Sequence, residues 1–199
     1  MKKRNLLLAL ILAVNFYSCS KDEETINEEV VQEINEELQL TIEFADGPHK
    51  GTYTFKEIEN KFDSNIDGDL FNGNSSFEFK NITTENNLIL NNFRRTLKGS
   101  LDIGKIESIE FTNGCGSLFF RDENNSFSYK EIRADFTGCS TTEVLEVSSW
   151  QKDLAYEKRK IKAQFQEDIT MQIIKDDNSI SEVNTTIKVS FIAEQKKLI

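Results

Sequence analysis

The sequence predicts an all-β, antiparallel fold, a β-sandwich or alternatively a β-barrel, with at most one or two short helices. Three observations predict it. The last forty residues alternate with period two: Ile161, Ala163, Phe165, Ile169, Met171 and Ile173 hold one parity, while Lys162, Gln164, Gln166, Asp168, Thr170 and Gln172 hold the other. Only Glu167 breaks the apolar set. Many short stretches of β-branched and aromatic residues are punctuated by Asn and Gly, as in antiparallel meanders. Almost no helical pattern lies between them, which argues against a parallel α/β sheet.

The elements follow in order. Leu38, Leu40, Ile42 and Phe44 oppose Gln39, Thr41 and Glu43 in a first strand, and Asp46-Gly47-Pro48 turns the chain. Gly51–Phe55 opens a second. Further strands are predicted over Ser75–Ile82, Asn87–Phe93, Thr96–Ile103, Lys105–Thr112, Gly116–Arg121 and Ser126–Phe136. In the last of these the parity slips between Tyr129 and Ile132, as at a β-bulge. Trp150–Lys160 fits a short helix or a crossover loop. The alternation of Ile161–Ile173 resumes after Lys175-Asp176-Asp177-Asn178 as Val183, Thr185, Ile187, Val189, Phe191 and Ala193, a long hairpin.

With 199 residues, 38% hydrophobic and 29% charged, and fifteen Phe, the chain is long enough for one domain with a packed interior. Three units are expected: a signal peptide over 1–18, an acidic tether over 19–37, and a β-rich domain over 38–199. Lys2, Lys3 and Arg4 precede the unbroken apolar run Leu6–Val14, which is too short to span a bilayer and suits a cleaved leader. Loss of those three cations takes the net charge from −10 to −13. A field of that sign repels phosphate backbones, so nucleic acid is not an expected partner.

Phe16-Tyr17-Ser18-Cys19 resembles a lipobox, in which a small residue precedes the cysteine that becomes an acylated N-terminus. The following Ser20-Lys21-Asp22-Glu23-Glu24 is similar to the export signal of Bacteroidetes surface lipoproteins. The resemblance implies palmitate-type acylation at Cys19, a lipid anchor in the outer membrane and display at the cell surface. It covers the first 24 residues and does not reach the domain. The tether, rich in Glu, reads as a solvated spacer, or as a short helix with Ile26, Val30, Ile34 and Leu38 on one face.

Outside the cytoplasm the remaining cysteines, Cys115 and Cys139, are expected to form a disulfide; each follows a strand end. Two Cys and the single His49 fall short of a zinc set, and nothing near either thiol activates it for catalysis. Asp63, Asn65, Asp67 and Asp69, with Gly68 between them, begin like a calcium loop of alternate oxygen donors. The twelfth position is Asn74 rather than Glu, and Asp, Asn and Gly also suit any β-connection. Calcium is therefore the only cofactor considered. His49, beside Pro48 and Lys50, reads as an exposed turn residue; Glu57 with Glu59, and Lys158-Arg159-Lys160 with Lys162, read as solvated faces, the basic set also deterring edge pairing. No catalytic residue is assigned.

Three functions remain: a non-catalytic envelope lipoprotein that binds a glycan, protein or small ligand; an extracellular hydrolase, which requires carboxylates about 5 to 9.5 Å apart around a concave site; and an accessory subunit of a surface complex, which requires an exposed apolar patch. The binding module ranks first.

Overall fold

The structure is a computed structural model. It describes residues 33–199 except 57–64, 72, 85–87, 100, 111–113 and 123–130, with backbone alone over 65–71 (Gly68 apart) and at 122. The leader, Cys19, Asp63, Glu57 and Glu59 lie outside the described residues.

Among the described residues twelve strands carry the fold: β1 Gln39–Phe44, β2 Gly51–Lys56, β3 Asn65–Phe71, β4 Asn74–Thr83, β5 Leu88–Leu97, β6 Gly104–Ile106, β7 Gly116–Asp122, β8 Glu131–Asp135, β9 Thr142–Val147, β10 Gln151–Asp153, β11 Tyr156–Ile174 and β12 Ile180–Leu198. No helix occurs among the described residues. The fold is all-β and, apart from one parallel contact between β3 and β12, antiparallel.

The spine is the predicted hairpin, longer than its apolar pattern indicated. β11 and β12 stay in register from Tyr156 opposite Leu198 to Ile174 opposite Ile180, because a slip of one residue would turn every core side chain outward. The turn is closed by the Lys175 amide on the Ser179 carbonyl at 3.0 Å, with Asn178 in the left-handed region, which asparagine tolerates.

Both outer edges of this hairpin divide between partners. The free edge of β12 pairs with β1 along Ile187–Ile192 and then with β3 along Glu194–Lys196. The free edge of β11 pairs with β10 and β9 along its first half and with β8 along Met171–Ile174. From β12 the pairing runs through β3, β4, β5, β7 and β8 to β11, and so back to β12. One sheet thus curls around one core, an arrangement compatible with either of the architectures the sequence leaves open.

The core is aromatic. Phe191 meets Phe77 and Phe79 at ring-centroid distances of 5.1 and 5.6 Å, Phe79 meets Phe93 edge-on at 5.3 Å, and Phe93 continues to Phe136 and Phe165. Edge-to-face contacts of this kind add about 0.5–1.5 kcal/mol each beyond area burial. Gly68 of β3 lies so close to this cluster that a Cβ would stand 2.7 Å from the Phe77 ring. Its lack of a side chain lets β3 approach, where the sequence suggested a turn.

Several expectations are corrected. Residues 65–71, expected to be a loop, form strand β3, with Asp67 and Asp69 in register with Glu78 and Ser76 of β4. Trp150–Lys160 is neither helix nor loop; β10 and the start of β11 make a tight hairpin there. Thr96–Ile103 is no separate strand, because β5 runs on through Leu97. β9 went unread. Its alternation breaks at Leu145, the extra residue where the register with β11 shifts between Lys162 and Ala163. The predicted strand Ser126–Phe136 is described only over β8.

Glu33–Glu37, read as the end of the tether, lie against the sheet. Ile34 is buried, Lys160 Nζ donates to the Ile34 and Glu36 carbonyls at 3.0 and 2.8 Å, and Lys162 Nζ pairs with the Glu36 carboxylate. The basic run is likewise no edge guard. β11 is flanked on both sides, and Arg159 is buried, donating to the Gln195 side chain and the Leu101 carbonyl, each at 2.8 Å.

Candidate functional site

The site grows out of the fork in β11. Between its β9 and β8 pairings, residues Phe165–Thr170 face the loop Phe136–Thr141 rather than a strand. Interior parity places Glu167 there, among apolar neighbours. A lone carboxylate would not remain charged in such a place, so the fold supplies partners. Glu167 Oε2 accepts from Arg95 Nη1 at 2.9 Å and from Ser140 Oγ at 3.0 Å, while Oε1 accepts from the Cys139 amide at 3.0 Å. Arg95 also donates through Nη2 to the Ser140 carbonyl, and its guanidinium lies 4.1 Å over the Phe165 ring. Burial pulls the Arg95 pKa down and Glu167 opposes that pull.

The Cys139 loop is held at its other end by the partner the sequence predicted. Cys115 and Cys139 are disulfide-bonded with Cα atoms 5.3 Å apart, and the Cys115 amide donates to the Phe136 carbonyl at 2.8 Å. Ser108 Oγ adds a bond of 2.8 Å to the Ser140 carbonyl. Ser140 is therefore fixed from three sides, and it forms part of the wall of a groove on the outer surface.

That groove, about 500 Å³, crosses six strands. Its floor is two rows of outward-facing residues set side by side by the register. The first runs Thr41, Ser190, Gln164, Glu143, Lys105 through β1, β12, β11, β9 and β6. The second runs Thr52, Glu43, Lys188, Gln166. Thr41 and Thr54 share a hydrogen bond at 3.0 Å, Gln164 Nε2 donates to Glu143 at 2.8 Å, and Lys188 stands 3.9 Å from Glu43. Glu43 and Glu143 rise from strands three apart, about 14 Å at the backbone level. Each is engaged with a neighbour on the floor. The surface offers hydroxyls, amides and balanced charge on rigid strands, which suits recognition by hydrogen bonds.

The sequence-derived candidates are scattered. Cys115 and Cys139 bind one another beside the groove. Asn65, Asp67 and Asp69 belong to the backbone of β3, and no cluster of metal-ligating side chains occurs among the described residues. His49, expected to be exposed, is 1% exposed, set against Phe44 and Phe120 at ring distances of 6.1 and 6.0 Å, and burial lowers its pKa to about 4. The groove residues were legible only as the polar parity of strands; which strands stand side by side was not. No protein-family model matches the chain, and no curated protein or solved structure matches it either, so its role rests on the chemistry of these residues.

Proposed function

We propose that this chain is a lipid-anchored lipoprotein of the cell envelope, displayed at the surface, whose domain is a non-catalytic binding module. The observation that carries the binding role is the double row of polar side chains on the floor of the groove. Its mixture of Ser, Thr, Gln, Lys and Glu suits a neutral, hydroxyl-rich ligand such as a glycan, with donors and acceptors of both kinds within one span. The anchor rests on Cys19 and its flanking residues, since two or more acyl chains hold a protein stably where one does not. A barrel that crosses a membrane needs an apolar outward band. The outward positions of β11 are instead Gln164, Gln166, Asp168, Thr170 and Gln172, and this polar exterior favours a domain standing in water.

An array of oligosaccharides and peptides probed with the domain tests the binding role. Gln164→Ala combined with Gln166→Ala is expected to weaken any ligand found at least tenfold with no change in the unfolding midpoint. Undiminished binding by that variant would place the site elsewhere. Mass spectrometry of the mature N-terminus tests the anchor.

A further inference from the structure

One end of the spine breaks two rules of β-hairpins at once. The β10–β11 turn places Leu154 in the left-handed region, at φ 46°, where Asn or Gly is the ordinary choice, and leaves it 94% exposed. A branched apolar residue held in an unfavourable backbone conformation in open solvent gains nothing from the fold. It is also not alone: Tyr156 is paired with Leu198, the Ile199 amide donates to the Ala155 carbonyl at 3.2 Å, and Leu198 and Ile199 are 75% and 64% exposed.

The surroundings of this tip specify its occupant. Trp150, the single Trp of the chain, lies behind it between Arg159 and Lys197, each 4.4 Å from the ring. Two cations at the rim are matched, Lys158 with Asp153 at 3.0 Å and Lys197 with Glu157 at 2.7 Å. An apolar tip backed by Trp and Tyr, with long basic side chains around it, has the composition of a bilayer interface. The opposite turn, Lys175–Ser179, is polar, and a single large exposed apolar residue, Ile180, stands beside it.

Glu33, the first described residue, lies at the same end. Glu33, Ile34 and Asn35 line a groove with Gln151 and Lys158, which are themselves paired across β10 and β11 close to the tip. Thirteen residues lie between Cys19 and Glu33. Even fully extended, that stretch reaches at most about 50 Å, while strands of 19 residues extend about 60 Å. By chain length alone, an anchor at Cys19 reaches the tip more readily than the far turn.

We infer that the Leu154 end is a membrane-seating surface: Leu154, Leu198 and Ile199 enter the headgroup region of the lipid layer that holds the anchor, with Trp150 and Tyr156 at its boundary. The inference rests on the lipid-anchor reading for its orientation. Because Lys158 and Lys197 are paired with carboxylates, apolar burial drives the contact, and neutral lipid serves.

The test supplies the anchor chemically. The mature chain from Cys19 is coupled through that thiol to maleimide lipid in phosphatidylcholine vesicles, and Trp150 emission is read with and without brominated lipids, at low and high salt. The expected result is a blue shift and strong quenching, both insensitive to salt. Leu154→Asn, which the left-handed turn accepts without loss of folding, is expected to weaken vesicle partitioning of the uncoupled chain about tenfold, the worth of one Leu side chain moved out of water. Absence of quenching in the coupled wild-type chain would overturn the inference, as would equal quenching in Leu154→Asn or sedimentation as a dimer that shields Trp150. Quenching of the coupled chain, together with a native N-terminus lacking acyl groups, would uphold the seating surface while ending the anchor reading.

Discussion

Glu167 Oε2 and Arg95 Nη1 lie 2.9 Å apart in a place where neither side chain reaches water. The pair joins β5 to β11 at the point where β11 exchanges one neighbour for another, and through Ser140 it fixes the groove wall. A buried pair of this kind adds little net stability over a well-packed apolar pair, but removal of one partner strands a charge. Glu167→Gln is expected to lower the unfolding free energy by about 3–5 kcal/mol, read from urea midpoints. Arg95→Met combined with Glu167→Leu is expected to cost less than the sum of the single changes, because neither charge remains.

Joint replacement of Cys115 and Cys139 by Ala is expected to destabilise the domain by about 3 to 3.5 kcal/mol, the chain-entropy value for a loop of this size. The cysteines are separated by 24 positions. Because the bridge also holds the Cys139 loop, ligand affinity at the groove should fall with it. Thermal melts with and without reductant check the first effect.

His49 imposes a pH dependence. Its folded pKa is about 4 and its ordinary value is 6.5, and the cause is burial. Between those values the unfolded chain binds a proton that the folded chain refuses, so stability is fully present above pH 6.5 and is lost as pH falls toward 4. The loss attributable to this group is about 3 kcal/mol. His49→Phe, set between Phe44 and Phe120, should flatten the stability curve over that window relative to wild type. Equal slopes in the two proteins would assign the acid sensitivity to the carboxylates.

Leu154→Asn should raise the unfolding free energy by about 0.5–1 kcal/mol while the tip loses its apolar side chain, because asparagine tolerates the left-handed turn that leucine resists. A gain in stability with a loss of membrane partitioning separates function from folding at this position.

Calcium should leave the thermal midpoint where chelator leaves it, since the backbone from Asn65 to Asp69 is held extended against β4, and from Asp67 to Asp69 also against β12, rather than curled around an ion. A rise that grows with millimolar calcium would instead support calcium binding by this stretch.

Much of the fold was legible because strand alternation is a local property. The hairpin of β11 and β12, β1, β2, β4 and β7 all announce themselves by parity, and the two domain cysteines by their matched settings. What failed did so for identifiable reasons. β3 carries Asp, Asn and Gly, the residues of turns, because Gly68 must pass the Phe77 ring and not because the chain reverses there. β9 conceals its alternation behind a bulge. His49 follows a Gly-Pro turn and still enters the core, since a loop can fold its tip inward between two aromatic rings.

The sequence by itself determined that the chain is built of antiparallel strands, that Cys115 and Cys139 would meet, and that Glu167 was an exception in an apolar row. Only the tertiary structure decided that Arg95, distant in the chain, answers that exception, that six strands align their polar faces into one groove, and that Leu154 shares an end with the tether. The physical reason is that parity is set within a few residues, whereas strand order depends on how one closed core is filled, and that is a property of all the side chains together.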